Sequence, residues 1–454
     1  MVLSILKVLI DYSIFEKYDR KYFINNLIVP IYEDSISLKF GVCQKSNLSS
    51  IKNDFVKVLN FIEIDELEIL FVLANLESRE KLYKIAQKSI IQNSTEKYTS
   101  QFLDELILYS IEQRASDIHI EKFKDLVLFK FRVDGRLKIF FSFEAEFFKI
   151  FSSFVKLISN LDITQTRLSL DGRFSRYIDD KKYDFRLSTM PTIDAESIVL
   201  RILDNKNIDK NLQTLGLSED IYNTLLDVLK LTQGLILISG PTGSGKTTTL
   251  YSILKELNSD EKKIITVEDP IEYKIDSINQ IPINNKIGLS FEVVLKNILR
   301  QDPDIIFIGE IRDKFSLDIA LQASLTGHLV LASIHSSNCL ETITRLIDLK
   351  ADPFLISTTL KAIMAQRLVL TYCKECMAKG CRKCNFTKFY DRSSIAEILK
   401  IDERISSLIF QKASLNEFKD YLKSINFKTM LDDGKEKVEK NFTSLEEVYK
   451  VVNF

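Results

Sequence analysis

The sequence contains no apolar run close to the roughly 20 residues that a membrane-spanning helix requires. Its N-terminus is apolar but carries Lys7 and Asp11 and has no basic leader, so we expect no signal peptide and a cytoplasmic location. A net charge of −1 over 454 residues gives no whole-chain argument for binding to nucleic acid or to an anionic membrane. A chain of this length is expected to form about two to four domains.

Glycine, cysteine and histidine are scarce in this sequence, and each of them is clustered. Four of the 13 glycines lie between Gly234 and Gly245, and four of the six cysteines lie between Cys373 and Cys384. Two of the three histidines flank a single apolar segment. The rest of the composition, with 45% hydrophobic and 28% charged residues, is that of an ordinary globular protein. These three clusters are therefore the first candidates for functional sites.

The glycine cluster matches the phosphate-binding pattern G-x-x-x-x-G-K-[ST] at every fixed position. It follows an apolar run at residues 235–238 and precedes a helix-compatible stretch at 248–257, so a chance glycine turn is disfavoured. Backbone N–H groups would surround the phosphates, Lys246 would reach the β- and γ-phosphates, and the Thr247 hydroxyl would bind Mg²⁺. The sequence predicts a nucleoside triphosphate site formed by Gly240, Pro241, Thr242, Gly243, Ser244, Gly245, Lys246, Thr247 and Thr248.

Two further apolar runs end in acidic residues. Residues 264–267 lead into Glu268, Asp269 and Pro270, and the proline should end the strand with both acids at its carboxyl end. Residues 304–308 lead through Gly309 to Glu310, which could act as general base or order the attacking water through Mg²⁺. Plain solvation of a strand end is the alternative for Glu310, and the preceding phosphate-binding motif favours the catalytic interpretation.

The paired histidines are His328 and His335, at the two ends of an apolar run at residues 329–334. His335 could sense the γ-phosphate by hydrogen bonding, and a hydrogen-bonded core histidine is the alternative. The third histidine, His119, is interpreted as structural.

The cysteine cluster consists of two Cys-x-x-Cys turns separated by four residues. Two such turns can bring four thiolates together around Zn²⁺, whereas a redox pair needs only one of them. No ligand position is left vacant, so we expect a structural zinc clip over about residues 373–384, formed by Cys373, Cys376, Cys381 and Cys384.

The patterning along the chain divides it into three parts. Residues 1–92 include a strand pair around residues 27–40 and an amphipathic helix at 62–74, and a polar linker is expected at 92–97. Residues 98–205 should form an α+β domain with an antiparallel sheet and a hairpin turn at Asp134-Gly135. Residues 210–454 should form the α/β domain of the phosphate-binding motif, with a mainly helical end from residue 390.

Taken together, these motifs resemble the type II secretion and type IV pilus assembly ATPase family. The resemblance is strong over roughly residues 100–454 and weak over the first 90. It rests on residues 114–121 (Arg-Ala-Ser-Asp-Ile-His-Ile-Glu), 131–135 (Phe-Arg-Val-Asp-Gly), 240–251, 266–273 (the family's Asp box), 299–304 with 309–313 (its Walker B region) and 326–335 (its His box).

The resemblance implies a RecA-like P-loop core with a zinc clip, an α+β (PAS-like) middle domain and a small N-terminal docking domain. It implies ATP hydrolysis with Mg²⁺ and Zn²⁺ by a homo-hexamer, held at the inner membrane through docking and platform proteins, with no direct nucleic-acid partner. It adds Glu268, Arg186 and Arg201 to the catalytic set, the two arginines acting on the nucleotide of a neighbouring domain or subunit. Arg300, Arg312 and Arg345 also fall at functional positions of the family's pattern.

Two alternatives to an assembly ATPase remain at this stage. A pilus retraction ATPase is the nearest, although retraction members typically lack both the N-terminal docking region and the four cysteines. A hexameric nucleic-acid motor is the alternative from another class, and the near-neutral charge and the lack of a basic groove with interleaved aromatic residues argue against it.

Overall fold

The computed structural model of the chain describes residues 4–92, 96–203 and 210–452. These residues form two compact units. The first contains the described residues up to 203 together with Cys373–Tyr390, and the second contains residues 210–372 together with 391–452. Of the linker expected at residues 92–97, residues 93–95 lie outside the described part. Among the described helices, none combines the length and apolarity needed to cross a bilayer.

The first unit begins with a three-stranded sheet covered by short helices. Its elements are α1 (Ile14–Lys17), α2 (Arg20–Asn26), β1 (Ile28–Glu33), β2 (Ser37–Val42), α3 (Leu48–Asp54), β3 (Val58–Glu63), α4 (Glu66–Ala74) and α5 (Leu76–Ile91). β1 is antiparallel to β2 as predicted, and β2 is parallel to β3. The predicted helix at 62–74 begins only at Glu66, because the preceding residues form β3 and Asp65 caps the helix through the backbone N–H of Leu67.

A larger antiparallel sheet follows in the same unit. Its elements are α6 (Glu96–Glu112), β4 (Ala115–Lys122), β5 (Leu126–Val133), β6 (Arg136–Glu144), α7 (Ala145–Ile158), β7 (Leu170–Ile178), β8 (Lys181–Pro191) and β9 (Glu196–Leu203), with the strand order β6-β5-β4-β9-β8-β7. The predicted hairpin turn is present, and both Asp134 and Gly135 have positive φ (50° and 84°), as a type I′ turn requires.

Phenylalanine rings fill the space between this sheet and its helices. The Phe102 ring of α6 lies 5.6 Å from that of Phe129, 5.3 Å from that of Phe143 and 4.6 Å from that of Phe147, measured between centroids. All four side chains are buried. A buried phenylalanine of this kind contributes about 3–5 kcal/mol to stability, so this cluster holds the sheet rigidly.

The segment Cys373–Tyr390 also packs within the first unit. The Asn385 side-chain amide donates a hydrogen bond to Gln113 Oε1 at 2.6 Å, and the Arg114 guanidinium carbon lies 3.7 Å from the centre of the Tyr390 ring. The two residues that follow α6 therefore hold the cysteine segment.

The second unit is built on a seven-stranded sheet, counted over the described residues, in the order β12-β11-β13-β14-β10-β15-β16. Its elements are α8 (Glu219–Leu229), β10 (Gly234–Ser239), α9 (Lys246–Leu257), β11 (Ile264–Glu268), β12 (Asn279–Pro282), α10 (Phe291–Ile298), β13 (Ile305–Ile308), α11 (Lys314–Leu325), β14 (Leu329–Ile334), α12 (Cys339–Asp348), α13 (Pro353–Thr359), β15 (Leu360–Tyr372), β16 (Phe389–Lys400), α14 (Glu403–Phe410), α15 (Leu415–Ser424), α16 (Met430–Glu439) and α17 (Leu445–Val451).

The central strands of this sheet are parallel. β10 is parallel to β14 and β15, and β13 is parallel to β11 and β14. Every residue of β10, β11, β13 and β14 is buried, which explains why these strands are continuous apolar runs in the sequence. Because the strands are parallel, the residues that follow them meet at one edge of the sheet.

The prediction of a mainly helical chain from residue 390 is wrong for its first part. Residues up to Lys400 form β16, the edge strand beside β15, and only the following residues form the helices α14 to α17. β16 pairs with β15, a strand that precedes the cysteine cluster. The local hydrophobic pattern therefore does not indicate that residues 389–400 form a strand.

Candidate active site

The glycine motif forms a loop between β10 and α9. Gly240 has a φ of 152°, and a Cβ there would lie 2.4 Å from Ser244 Oγ, so only glycine fits. α9 begins at Lys246 directly after Gly245, and its first backbone N–H groups face the loop. The loop therefore offers the N–H groups and the helix N-terminus that bind a phosphate.

Lys246 lies inside this loop. Its Nζ donates hydrogen bonds to the carbonyl oxygens of Gly240 (2.7 Å) and Pro241 (3.0 Å). Burial lowers the pKa of Lys246 to about 8, and the nearby Glu310 carboxylate partly opposes this shift. An ammonium group whose hydrogen bonds go to neutral carbonyls gains stability from anionic oxygens, so the loop fits the phosphates of a nucleotide.

A cavity of about 300 Å³ lies beside Thr247 at the first turn of α9. Its polar lining consists mainly of hydroxyl and carboxylate oxygens, which are the ligands that Mg²⁺ prefers. When bound there, Mg²⁺ neutralises charge on the phosphates. The oxygen-bearing side chains of this lining belong to Thr247, Glu268, Asp269, Glu272, Asn285, Glu310, Asp313 and Ser316.

Glu310 follows β13 and is held on both sides of its carboxylate. His335 Nε2 lies 3.0 Å from Glu310 Oε1, and Arg312 Nε lies 3.0 Å from Glu310 Oε2. His335 stands directly after the parallel neighbour β14, so the sheet itself brings the two residues together. A carboxylate fixed in this way, beside Lys246 and the cavity, can orient a water molecule and accept its proton.

The backbone around Glu310 is fixed by its neighbours. A Cβ on Gly309 would lie 3.1 Å from the Val267 carbonyl oxygen, so glycine allows β13 to approach the end of β11. Asp313 and Ser316 form a capping box at the start of α11. This capping box fixes the backbone three residues after Glu310.

Glu268 also lines the cavity, but its oxygens are already engaged. They accept hydrogen bonds from Tyr251 OH, from Thr266 Oγ1 (2.6 Å) and from Gln280 Nε2 (3.2 Å). Burial raises the pKa of Glu268, and the hydrogen bonds from Thr266, Tyr251 and Gln280 oppose this shift. Tyr251 cannot be identified from the sequence as a partner of Glu268, since a tyrosine inside a helix gives no signal of a carboxylate partner.

Arg186 and Arg201 belong to the first unit, whereas the glycine loop belongs to the second. They lie directly opposite each other on β8 and β9, and Arg173 of β7 lies directly opposite Arg186. These arginines line a cavity of about 360 Å³, and Arg201 Nε donates to Asp117 Oδ1 at 2.9 Å. Guanidinium groups gathered around one cavity suit an anion such as phosphate. The sequence could not give this row, since it depends on strand register.

The four predicted cysteines meet in one cluster within the first unit. Their sulfur atoms all lie within 4.8 Å of one another, and the Cys373–Cys381, Cys376–Cys384 and Cys381–Cys384 pairs are each 3.8 Å apart. Tetrahedral coordination with Zn–S bonds of about 2.3 Å gives S···S distances of about 3.8 Å, so the cluster is compatible with Zn²⁺. The backbone N–H of Gly380 points at Cys376 Sγ (3.3 Å), which supports a thiolate.

We expect the purified protein to contain about one zinc per chain, because four converging thiolates leave no ligand position open. Cys376→Ser should release the metal and loosen the clip, since metal binding and local folding are coupled. Elemental analysis and thiol titration of both proteins measure this. Cys43→Ser is the matched control, because Cys43 lies outside the cluster and should leave the zinc in place. Protein purified without chelator that has no zinc and four freely reactive thiols would contradict the prediction.

The sequence pattern of the family described as "Type II/IV secretion system protein" matches residues 92–450. The chain belongs to this family. It is 40% identical over 367 residues to the type II secretion system ATPase E of Vibrio cholerae, which covers 75% of this chain and 73% of that protein. It is 34% identical over 415 residues to the type II secretion system protein E of Klebsiella pneumoniae, covering 85% and 83% of the two chains.

Solved structures agree with this family assignment. The ATPase DotB of Legionella pneumophila superposes with a TM-score of 0.62 at 25% identity, covering 77% of this secretion ATPase and 95% of DotB. The pilus retraction motor PilT, solved with ADP, superposes with a TM-score of 0.55 at 26% identity, covering 77% and 96%. The predicted RecA-like α/β fold and the predicted ATP-hydrolysing activity are thus both confirmed.

Membership of the family establishes several general properties of this chain. This secretion ATPase uses ATP with Mg²⁺, assembles into an oligomer and works with membrane machinery.

Proposed function

We propose that this chain hydrolyses ATP in a ring of six copies to drive assembly of a type II secretion pseudopilus or a type IV pilus. The observation that carries the proposal is Glu310, held between His335 and Arg312 beside the glycine loop of a secretion-family ATPase. The names of its relatives, which include type II secretion ATPases, support the secretion branch.

In the proposed reaction each side chain has a separate task. Lys246 would leave its carbonyl partners to contact the β- and γ-phosphates, and the Thr247 hydroxyl would hold Mg²⁺. Glu310 orients the attacking water and accepts its proton, while His335 holds Glu310 and donates toward the γ-phosphate. Glu268 completes the acidic side of the cavity, with its geometry fixed by Tyr251.

Arg186 and Arg201 are proposed to act on the nucleotide of a neighbouring subunit. Both line the cavity on the sheet of the first unit, where 60% of the Arg201 side chain is exposed and Arg186 is half-buried. Their positive charge would stabilise the charge that develops during phosphoryl transfer. A closed ring gives every subunit one such neighbour, which is why a ring is part of the proposal.

The N-terminal residues 1–92 are proposed to dock on an inner-membrane protein of the machine. Ile36 and Val58 expose apolar side chains at the small sheet of this part. Docking there would hold the ATPase at the cytoplasmic face of the inner membrane, next to the platform protein, with no direct nucleic-acid partner. The middle domain at 98–205 and the ATPase domain at 210–454 would then move as parts of the ring.

A pilus retraction motor is the second candidate, because the solved retraction motor PilT shares this fold. The relatives at 34–40% identity carry secretion names, which favours assembly over retraction.

We expect replacement of the chromosomal gene by the Glu310→Gln variant to abolish filaments and export while the protein level stays normal. Electron microscopy of sheared filaments and assay of exported protein measure this. A retraction motor would give the opposite result, an accumulation of filaments, and a nucleic-acid motor would change neither. Glu292→Gln is the matched control, because Glu292 is an exposed carboxylate paired only with Lys296 in the described residues.

A further inference from the structure

β15 contains two polar side chains that the strand buries among apolar ones. Gln366 is fully buried, and Arg367 exposes only 9% of its surface. Buried amide and guanidinium groups are costly unless they form hydrogen bonds, so their partners show what they stabilise. Gln366 follows Ala365, which pairs with the last residue of β10, so Gln366 lies beside the start of the glycine loop.

Gln366 holds the loop and the helix after it. Its Nε2 donates to the Ser244 carbonyl at 2.8 Å, and its Oε1 accepts from Thr249 Oγ1 at 2.9 Å. The backbone of Gln366 also lies against the start of the loop, since a Cβ on Gly240 would lie 2.7 Å from the Gln366 carbonyl oxygen. One residue thus fixes the loop at its beginning, near its end and at the first turn of α9.

Arg367 extends this contact to the residues that follow β14. Its Nη1 donates to the Gln366 carbonyl at 3.0 Å, and its Nη2 donates to the Ser337 carbonyl at 2.9 Å. The backbone N–H of Ser337 donates to Glu341 Oε2 at 3.1 Å, so a charged side chain holds each backbone group of this residue. Ser337 stands two residues after His335, which contacts Glu310.

We propose that Gln366 and Arg367 are positioning residues that link the phosphate loop to the segment carrying His335. Gln366 sets the shape of the loop and hence nucleotide affinity. Arg367 sets the position of Ser337 and hence the orientation of His335 on Glu310, which governs the catalytic rate. A lysine cannot replace the arginine, since only the guanidinium fork donates two hydrogen bonds in a fixed geometry. The inference rests on the roles proposed above for Glu310 and His335.

The two residues are expected to affect different kinetic constants. Arg367→Lys should lower kcat about 10-fold and change the affinity for a fluorescent ADP analogue less than about 2-fold. Gln366→Leu should weaken that affinity about 10-fold. Lys361→Met is the matched control in the same strand, because the Lys361 ammonium contacts only the Thr358 carbonyl in the described residues and should change neither constant. A purely structural role would lower the melting temperature and reduce both constants together.

A double-mutant cycle with His335→Ala tests the route of the effect. If Arg367 acts through the His335 segment, Arg367→Lys should add less than about 2-fold to the loss already caused by His335→Ala. Multiplicative losses would overturn the inference. A wild-type rate for His335→Ala alone would instead refute the role proposed for His335, so the two failures are distinguishable.

Glu341→Ala keeps the test decisive should the Arg367 variant not fold, because alanine removes the oxygen that accepts from the Ser337 N–H. Glu341 is exposed on α12 and holds the same Ser337 from outside β15, so its replacement leaves the core intact. It should also lower kcat with little change in nucleotide affinity, and a wild-type kcat for this variant would overturn the inference.

Discussion

Glu310→Gln is expected to lower steady-state ATP hydrolysis by about 100-fold or more while ATP remains bound. Glutamine keeps the size of the side chain and one oxygen that can accept from Arg312, but it cannot accept the proton of the attacking water. Loss of a general base typically costs about 10²–10⁴ in rate. Phosphate release and the nucleotide retained after rapid gel filtration measure the two effects.

Two further variants sharpen this test. Lys246→Ala should lose bound nucleotide as well as turnover, because it removes the cation inside the loop. Glu256→Gln, an exposed acid on the same helix, should behave as wild type. Hydrolysis by Glu310→Gln at the wild-type rate would show that another group activates the water.

The Arg186→Ala, Arg201→Ala double variant is expected to bind ATP normally as an isolated subunit but to lose about 10³-fold in the catalytic rate of the ring. The loop and Lys246 are untouched by these changes, since they belong to the other unit. Nucleotide binding to the monomer and hydrolysis by the assembled ring measure the two effects. Arg167→Ala is the control, because Arg167 is exposed in the same unit but outside the arginine cavity.

Mixing this double variant with Glu310→Gln tests whether the arginines act between subunits. In an equal mixture about a quarter of the interfaces would combine an intact Glu310 with intact arginines from the neighbour. The mixture should therefore recover up to about 25% of the wild-type rate although neither parent is active. If the arginines act within one chain, the mixture recovers no ATP hydrolysis, and the proposed action of the arginines on a neighbouring subunit is wrong.

The parts of the fold that follow from local chemistry could be predicted from the sequence. The loop after β10, the strand-ending Pro270 and the turn at Gly135 each depend on a residue type whose backbone preference is strong. Glu310 and His335 could also be expected at one edge, because parallel strands place their carboxyl ends together.

What depended on the exact register of strand pairing, or on pairing across a long intervening segment, could not be predicted. The sequence does not indicate β16, because the strand that pairs with it lies on the other side of the cysteine cluster. The sequence shows that the middle domain contains several arginines. Only the register of its strands shows that Arg173, Arg186 and Arg201 form one row. Gln366 and Arg367 are recognisable in the sequence as two polar residues within an apolar strand. Their hydrogen-bond partners, however, cannot be identified from the sequence.

The row of arginines also limits which insertions and deletions the turn between β8 and β9 can tolerate. Arg186 and Arg201 alternate along their strands with the buried Leu187 and Leu200. Removing one residue from the turn between these strands would exchange the two faces of β9, burying Arg201 and exposing leucine. Insertions and deletions there must therefore come in pairs or be absorbed by a bulge, although the turn itself is exposed.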